Sequence, residues 1–327
     1  MAKKLFIGVD LGGTSIRAGV VNARGEVLAL EKRKTHPELG VDGVFARLVG
    51  AIERALKKAD LKVRNLGGIG VGVPGPVDAE QGIVRVAVNL GKGWKNMPLA
   101  EKLSAHFAVP VFVNNDVRVG ALGEHRHGAG RGVQDMVAIF VGTGVGGGLI
   151  LGGQLRGGFR GGAGEVGHTI FDMSNGVTDP AHGQPGAVEP IASRTGMERM
   201  IRERVARGEA SIVPQLIEEI GKGRLTSRTI DEAVRRKDPL MLEVLAISQH
   251  ALGVLAGNLV NVLDPEMIVF GGGVTERMGD RYVAPIRKVA QAHFINKTDL
   301  NKVKIVPAAL KDLSGVVGAA VLAREAL

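Results

Sequence analysis

Residues 6–25 read FIGVDLGGTSIRAGVVNARG, and residues 135–158 read DMVAIFVGTGVGGGLILGGQLRGG. Each opens with a short apolar run that stops at a glycine–threonine turn, resumes as a second apolar run and ends in another turn. Thr14 and Thr143 hold the same place in the two hairpins. The letters match poorly and the layout matches well. That repetition predicts two related α/β lobes facing each other across a cleft.

Outward from the first hairpin, the pattern gives strands through Val9, over Ser15–Val21 and on to about Lys32. A helix follows over about 41–59, with Val44, Leu48, Ala51, Ile52, Ala55 and Leu56 on one face. GGIGVGV (67–73) is a buried strand leading into the turn PGPVD, and a helix starts near Pro98 with Leu99, Leu103 and Phe107 aligned. VPVFVNND (109–116) is a strand ending in polar residues. After the second hairpin, a long helix over about 240–263 carries Gly253 and Gly257, which permit close helix contact. It stops at Asp264-Pro265, and a last buried strand runs into the glycines 271–273.

The chain of 327 residues is long enough for two domains with their own cores. No apolar run reaches the roughly 18–20 residues of a membrane span, and the apolar part of the amino-terminal segment is too short for a signal-peptide core. No membrane partner and a cytoplasmic location are expected. There is no cysteine, which excludes disulfides, thiolate zinc sites and thiol nucleophiles. The net charge of +9 raises nucleic acid as a partner. The basic residues are dispersed, however, and the densest patch, RMIRERVARG (199–208), reads as one exposed helix with acids mixed in. One Tyr and one Trp cannot build a base-stacking platform, so no nucleic acid is expected. The positive field suits an anionic small substrate such as a nucleoside triphosphate equally well.

Two stretches match G-x-G-x-x-G: GVGVPG (70–75) and GTGVGG (142–147). A dinucleotide site needs a helix directly afterwards to hold the pyrophosphate. The first is followed by a turn and the second by a strand-like run, so both fail. No P-loop occurs. What remains is DLGGTSIR (10–17). Gly12 and Gly13 let backbone N–H groups approach phosphate oxygens, Thr14 adds a hydroxyl, and Asp10 can hold a hydrated magnesium ion. By itself this is equally a plain hairpin turn. The parallel turns at Thr143-Gly144 and at Gly272-Gly273 favour phosphate.

Asn115 and Asp116 end a buried strand, where a carboxylate can accept the proton of a substrate hydroxyl as its oxygen attacks phosphorus. Taken alone, a helix-capping role for Asp116 is the simpler reading. Glu165, His168 and Glu189 supply acceptors suited to a polyol, although each has a bland explanation as a core or loop residue.

Together these segments resemble the ROK family of bacterial sugar kinases and repressors, most closely its glucokinases. DLGGTSIRAGVV, GVGVPGPVD, NLGKGWKNMPLAEKL, VNNDVRVGALGEHRHGAGRG, FVGTGVGGGLILGGQL, GEVGH and LGVLAGNLVNVLDPEMIVFGGGV follow in the family's order over nearly the whole chain. The resemblance implies an α/β fold of the actin-like, hexokinase type (ribonuclease H-like), with ATP and sugar in the interlobe cleft. It implies a small lobe of residues 1–115 plus a carboxy-terminal helix at about 313–327, and a large lobe of 116–312. Asp116 would be the general base and Asn115 a sugar ligand, with Glu165, His168 and Glu189 holding the sugar hydroxyls. Asp10, Gly12, Gly13 and Thr14 would face the phosphates and Mg2+, joined by Thr143 and Gly144, with Gly272 and Gly273 under the adenosine. The implied reaction is ATP-dependent phosphorylation of a hexose, glucose to glucose 6-phosphate first. Fructose, mannose or N-acetylhexosamine are alternative acceptors, and polyphosphate is an alternative donor.

The family's repressors carry a helix-turn-helix ahead of the first phosphate motif, and only nine residues precede Asp10 here. A non-catalytic sugar-binding relative is the other alternative. A homodimer is expected from the resemblance. One departure stands out. The family's zinc-binding cysteines, just before the second glutamate, are replaced by Pro180, His182 and Ala187, so no structural zinc is expected. Asp179 or His182 would then be left to orient His168.

Overall fold

The computed structural model describes residues 5–173 and 184–327. Along the chain run β1 (Leu5–Leu11), β2 (Ser15–Asn22), β3 (Val27–Lys34), α1 (Gly40–Lys58), β4 (Leu66–Val73), β5 (Val77–Asp78), β6 (Ile83–Val86) and β7 (Lys95–Met97). Then come α2 (Leu99–Phe107), β8 (Val111–Asn115), α3 (Asp116–His127), β9 (Met136–Val141), β10 (Val145–Leu151), β11 (Gln154–Arg156), α4 (Glu189–Ala192), α5 (Arg194–Ala206) and α6 (Val213–Leu216). The rest is α7 (Ser227–Arg235), α8 (Pro239–Leu263), β12 (Met267–Gly271), α9 (Gly273–Met278), α10 (Asp280–His293), β13 (Lys304–Pro307) and α11 (Ser314–Glu325).

The chain divides into two compact units: residues 1–132, 148–164 and 313–327, and residues 133–147 and 165–312. In the first, the strand order is β3-β2-β1-β4-β8. The β1–β2–β3 meander is antiparallel, and β4 and β8 continue it in parallel. The apolar face anticipated on α1 is buried at Val44, Leu48, Ala51, Ile52, Ala55 and Leu56. It joins Ile7, Val9, Leu11, Ile69 and Val71 in one core.

On the first unit's own account, the sheet carries α11 against β1 and β4. Side chains at Gly8 or Gly70 would run into the α11 backbone at Val316 and Ala319. Gly123 of α3 and Gly318 of α11 likewise meet backbone to backbone, and this keeps α3 in the first unit. The family resemblance implies a lobe boundary at 115/116, and the division into compact units falls after this helix, at 132/133. The hairpin β10–β11 pairs Leu149 with Arg156, and Gly148 lies against Ala121 of α3. The segment 76–97, of which the sequence reading assigns only the turn PGPVD, forms a small antiparallel sheet of order β5-β6-β7.

In the second unit, β12 lies between β9 and β13, parallel to both. Helix α8 has 25 residues and the hydropathy of a membrane span, but 67% of its most apolar window is buried, so it is a core helix. Gly253 and Gly257 bring it onto α10, where added side chains would strike Val289 and His293. Helix α5 is amphipathic about Met197 and Ile201, both fully buried, and its outer face carries the basic patch seen in sequence.

Candidate active site

In the first unit, β1 delivers Asp10 to the hairpin turn, and the β1–β2 register sets it directly opposite Arg17. Arg17 Nη1 donates to Asp10 Oδ2 at 3.3 Å. Facing residues in an antiparallel pair share a face of the sheet, so this ion pair follows from a hairpin register with residues 12–14 at its tip. The turn closes by Gly12 N donating to Ser15 O, and Thr14 is exposed. Thr35, fully buried at the end of β3, holds the turn from behind. Its N donates to Thr14 O at 3.1 Å, and its Oγ1 donates to Gly12 O at 2.5 Å. No periodic or compositional signal marks Thr35, because its role depends on where the meander brings it.

At the end of β8, Asn115 is the helix cap. Its Oδ1 accepts from Val117 N at 3.0 Å and from Arg118 N at 3.2 Å, and its Nδ2 donates to Gly75 O at 3.2 Å. Capping satisfies amide donors that the first turn of α3 cannot pair internally. One N–H of the Asn115 amide remains for a ligand. Asp116, which alone read as the cap, is instead the first residue of α3, with Oδ1 accepting from Val117 N at 2.9 Å. Behind it Arg118, 4% exposed, spends its guanidinium on carbonyls. It donates to Ala163 O at 2.9 and 3.2 Å and to Gly161 O at 2.5 Å. This clamps the glycine-rich loop that leads along the chain to Glu165.

In the second unit, five of the expected residues gather around Val145. Gly142 N donates to Gly144 O at 2.8 Å, which tightens the turn between β9 and β10. Val145 N donates to Glu189 Oε2 at 2.7 Å. A side chain at Gly144 would overlap that carboxylate, so glycine is required there. Gly167 packs on the Val145 carbonyl and leaves no room for a Cβ. The single turn of 3-10 helix Val166–His168 starts there, and Glu165 Oε2 lies 4.0 Å from His168 Nε2. An isolated bridge pairs Ile170 with Ala187, and Val188 N donates to Thr169 O at 3.0 Å, carrying that pairing toward His168 and Glu189. Ala187, at a family cysteine position, is fully buried. Pro180, His182 and Asp179 lie outside the described residues. Among the described residues, no three His, Cys, Asp or Glu side chains group as metal ligands.

Gly272 follows β12 with φ 96°, and a side chain there would strike Val141 O. Gly273 opens α9 against Ser227. The first turn of α5 adds residues that the sequence reading missed. Arg194 Nη2 donates to Thr143 Oγ1 at 3.0 Å, and Thr195 Oγ1 donates to Thr143 O at 2.9 Å.

The ROK family model matches residues 6–326. A glucokinase of Halalkalibacterium halodurans is 34% identical over 328 residues, 99% of this chain and 96% of its own length. A glucokinase of Thermotoga maritima is 31% identical over 325 residues, covering 99% of each chain. The crystal structure of a ROK family glucokinase from Streptomyces griseus, in complex with glucose and AMPPNP, superposes with a TM-score of 0.83. It is 32% identical and covers 98% of this chain and 99% of that one. The fold is the α/β two-lobe fold of such sugar kinases.

Proposed function

The chain belongs to the ROK family, and from that premise we propose that it is a sugar kinase transferring the terminal phosphoryl group of ATP to a hexose, glucose first. The observation that supports this most strongly is the division of labour at the end of β8. Asn115 carries the cap, and Asp116 stands beside it as a carboxylate in the first helical turn. There it takes the proton of the attacking hydroxyl as the oxygen bonds to the γ-phosphorus and ADP leaves.

Asn115 contributes its remaining N–H to the hexose. Glu165, His168 and Glu189 accept from and orient its other hydroxyls, and Gly167 fixes the turn that presents them. The backbone N–H of Gly13 and the Thr14 hydroxyl hold the donor phosphates in the first unit, where Gly12 lets them approach while its own N–H closes the turn on Ser15 O. Thr143 and Gly144 do so in the second, and Gly272 and Gly273 serve the adenosine. Asp10 suits magnesium, which takes one or two carboxylates together with phosphate oxygens and waters, and the ion would neutralise charge on those phosphates. Arg17 holds that carboxylate in place at 3.3 Å. A homodimer in the cytoplasm, and binding without structural zinc, complete the proposal. The test is ADP release over a hexose panel, with and without a chelator. Glucose turnover indifferent to a zinc-selective chelator is expected, and no turnover on any hexose would defeat the reading.

A further inference from the structure

Helix α5 carries three arginines that each pair with carboxylates: Arg199 with Glu203, Arg202 with Glu198, and Arg204 with Glu209 and Glu243. Arg194, its first residue, pairs with none among the described residues. It lies half-buried with its N on Gly142 O at 3.0 Å and its Nη2 on Thr143 Oγ1 at 3.0 Å. A hydroxyl oxygen that accepts from a guanidinium keeps its own proton to donate elsewhere, so Thr143 presents a donor beside a cation.

A loop that carries a second cation is tied to the same helix face. One turn along α5, Glu198 Oε2 accepts from Leu225 N at 2.7 Å. Residues 194 and 198 share a helix face, so this bond holds the loop Gly221–Thr226 against the start of α5. Arg224, next to Leu225, is exposed, and its side chain makes no hydrogen bond or ion pair among the described residues. Burial foremost, and then repulsion from Arg224, lower the pKa of Arg194, with Glu198 opposing them. The repulsion between these two like charges is relieved when an anion binds both.

We propose that Arg194 and Arg224, with the Thr143 hydroxyl, bind the phosphate chain of the phosphoryl donor. The assignment rests on the kinase reading above and adds two residues that the sequence resemblance does not name. Nucleotide triphosphate and inorganic polyphosphate share the chemistry recognised, and the test separates them.

The experiment measures steady-state turnover with ATP and, in parallel, with polyphosphate, for the wild type, Arg194→Gln, Arg194→Lys and Arg224→Gln. Loss of a charge-assisted bond raises donor KM about 10- to 100-fold in Arg194→Gln, less in Arg194→Lys and about threefold or more in Arg224→Gln. Hexose KM stays within about twofold of wild type in all three, since uniform loss of donor binding leaves acceptor binding alone. Raised salt weakens donor binding more in the wild type than in Arg224→Gln. An effect with ATP alone assigns the site to the nucleotide, and an effect with polyphosphate alone to the inorganic chain. Should Arg194→Gln fold poorly, Arg224→Gln carries the test, because its side chain is exposed. Unchanged donor KM in both variants, or a rise confined to hexose KM, overturns the proposal and leaves the kinase reading intact. A wild type inactive with every donor and hexose fails the kinase reading instead.

Discussion

Glu189 Oε2 accepts the backbone N–H of Val145 at 2.7 Å. The bond joins the first residue of α4 to the end of the Thr143-Gly144 turn. A residue proposed for the sugar and a turn proposed for the phosphates are therefore one mechanical piece.

Glu189→Gln keeps an acceptor for Val145 N and removes the charge, so hexose KM should rise while the melting temperature changes little. Glu189→Ala leaves a buried N–H without its partner and should cost about 1–3 kcal/mol of stability besides. Gly144→Ala should resemble Glu189→Ala in hexose KM, because the new Cβ displaces the carboxylate. Calorimetric melting beside steady-state kinetics checks all three. Equal melting temperatures for the Gln and Ala variants would contradict the structural half.

Thr35→Val removes the hydroxyl that bonds Gly12 O behind the first turn. ATP KM should rise severalfold with hexose KM unchanged, and stability should fall by about 1 kcal/mol. Kinetics with each substrate varied in turn gives the answer. A change in hexose KM alone would place Thr35 elsewhere in function.

Arg118→Lys cannot reproduce the planar fork on the Gly161 and Ala163 carbonyls. Breaking buried bonds to a charged group should cost about 2–4 kcal/mol and loosen the segment before Glu165. Faster proteolysis within 157–164 and a raised hexose KM are expected. Wild-type cleavage rates would contradict the clamp.

His127 should make the fold acid-sensitive. Burial first, then Arg324 and Arg131, with Arg126 adding to them and Glu325 opposing, lower its pKa. A histidine whose folded pKa is depressed favours the unfolded chain once protonation begins. Its contribution is intact above the unfolded value of about 6.5 and is lost as pH falls through that value toward the lowered one. Between about pH 7.5 and 5.5, His127→Gln should lose less melting temperature than the wild type. Equal losses would clear His127.

Local patterns carried most of the architecture. The two apolar runs of FIGVDLGGTSIRAGVV, broken by the glycine–threonine turn, and the apolar face of α1 specify β1, β2 and α1 from neighbouring residues alone. The sheet β5–β7 was not legible, because two- to four-residue strands show no period and form only when paired. Asp116 is visible in the sequence as an acid at a strand end, and Glu189 only as an acid after a glycine-rich loop. Which side chain caps α3, however, depends on backbone angles at Asn115 that the letters do not record. Arg118, Thr35 and Arg194 act through partners 23 to 51 residues away, and no spacing rule reaches that far.

The most direct measurement compares wild type with Asp116→Asn in a coupled ADP-release assay on glucose, with glucose binding measured by calorimetry. Asparagine keeps an oxygen for Val117 N, so the fold and glucose affinity should persist while kcat falls about 10²- to 10⁴-fold. Undiminished turnover in Asp116→Asn would contradict the account.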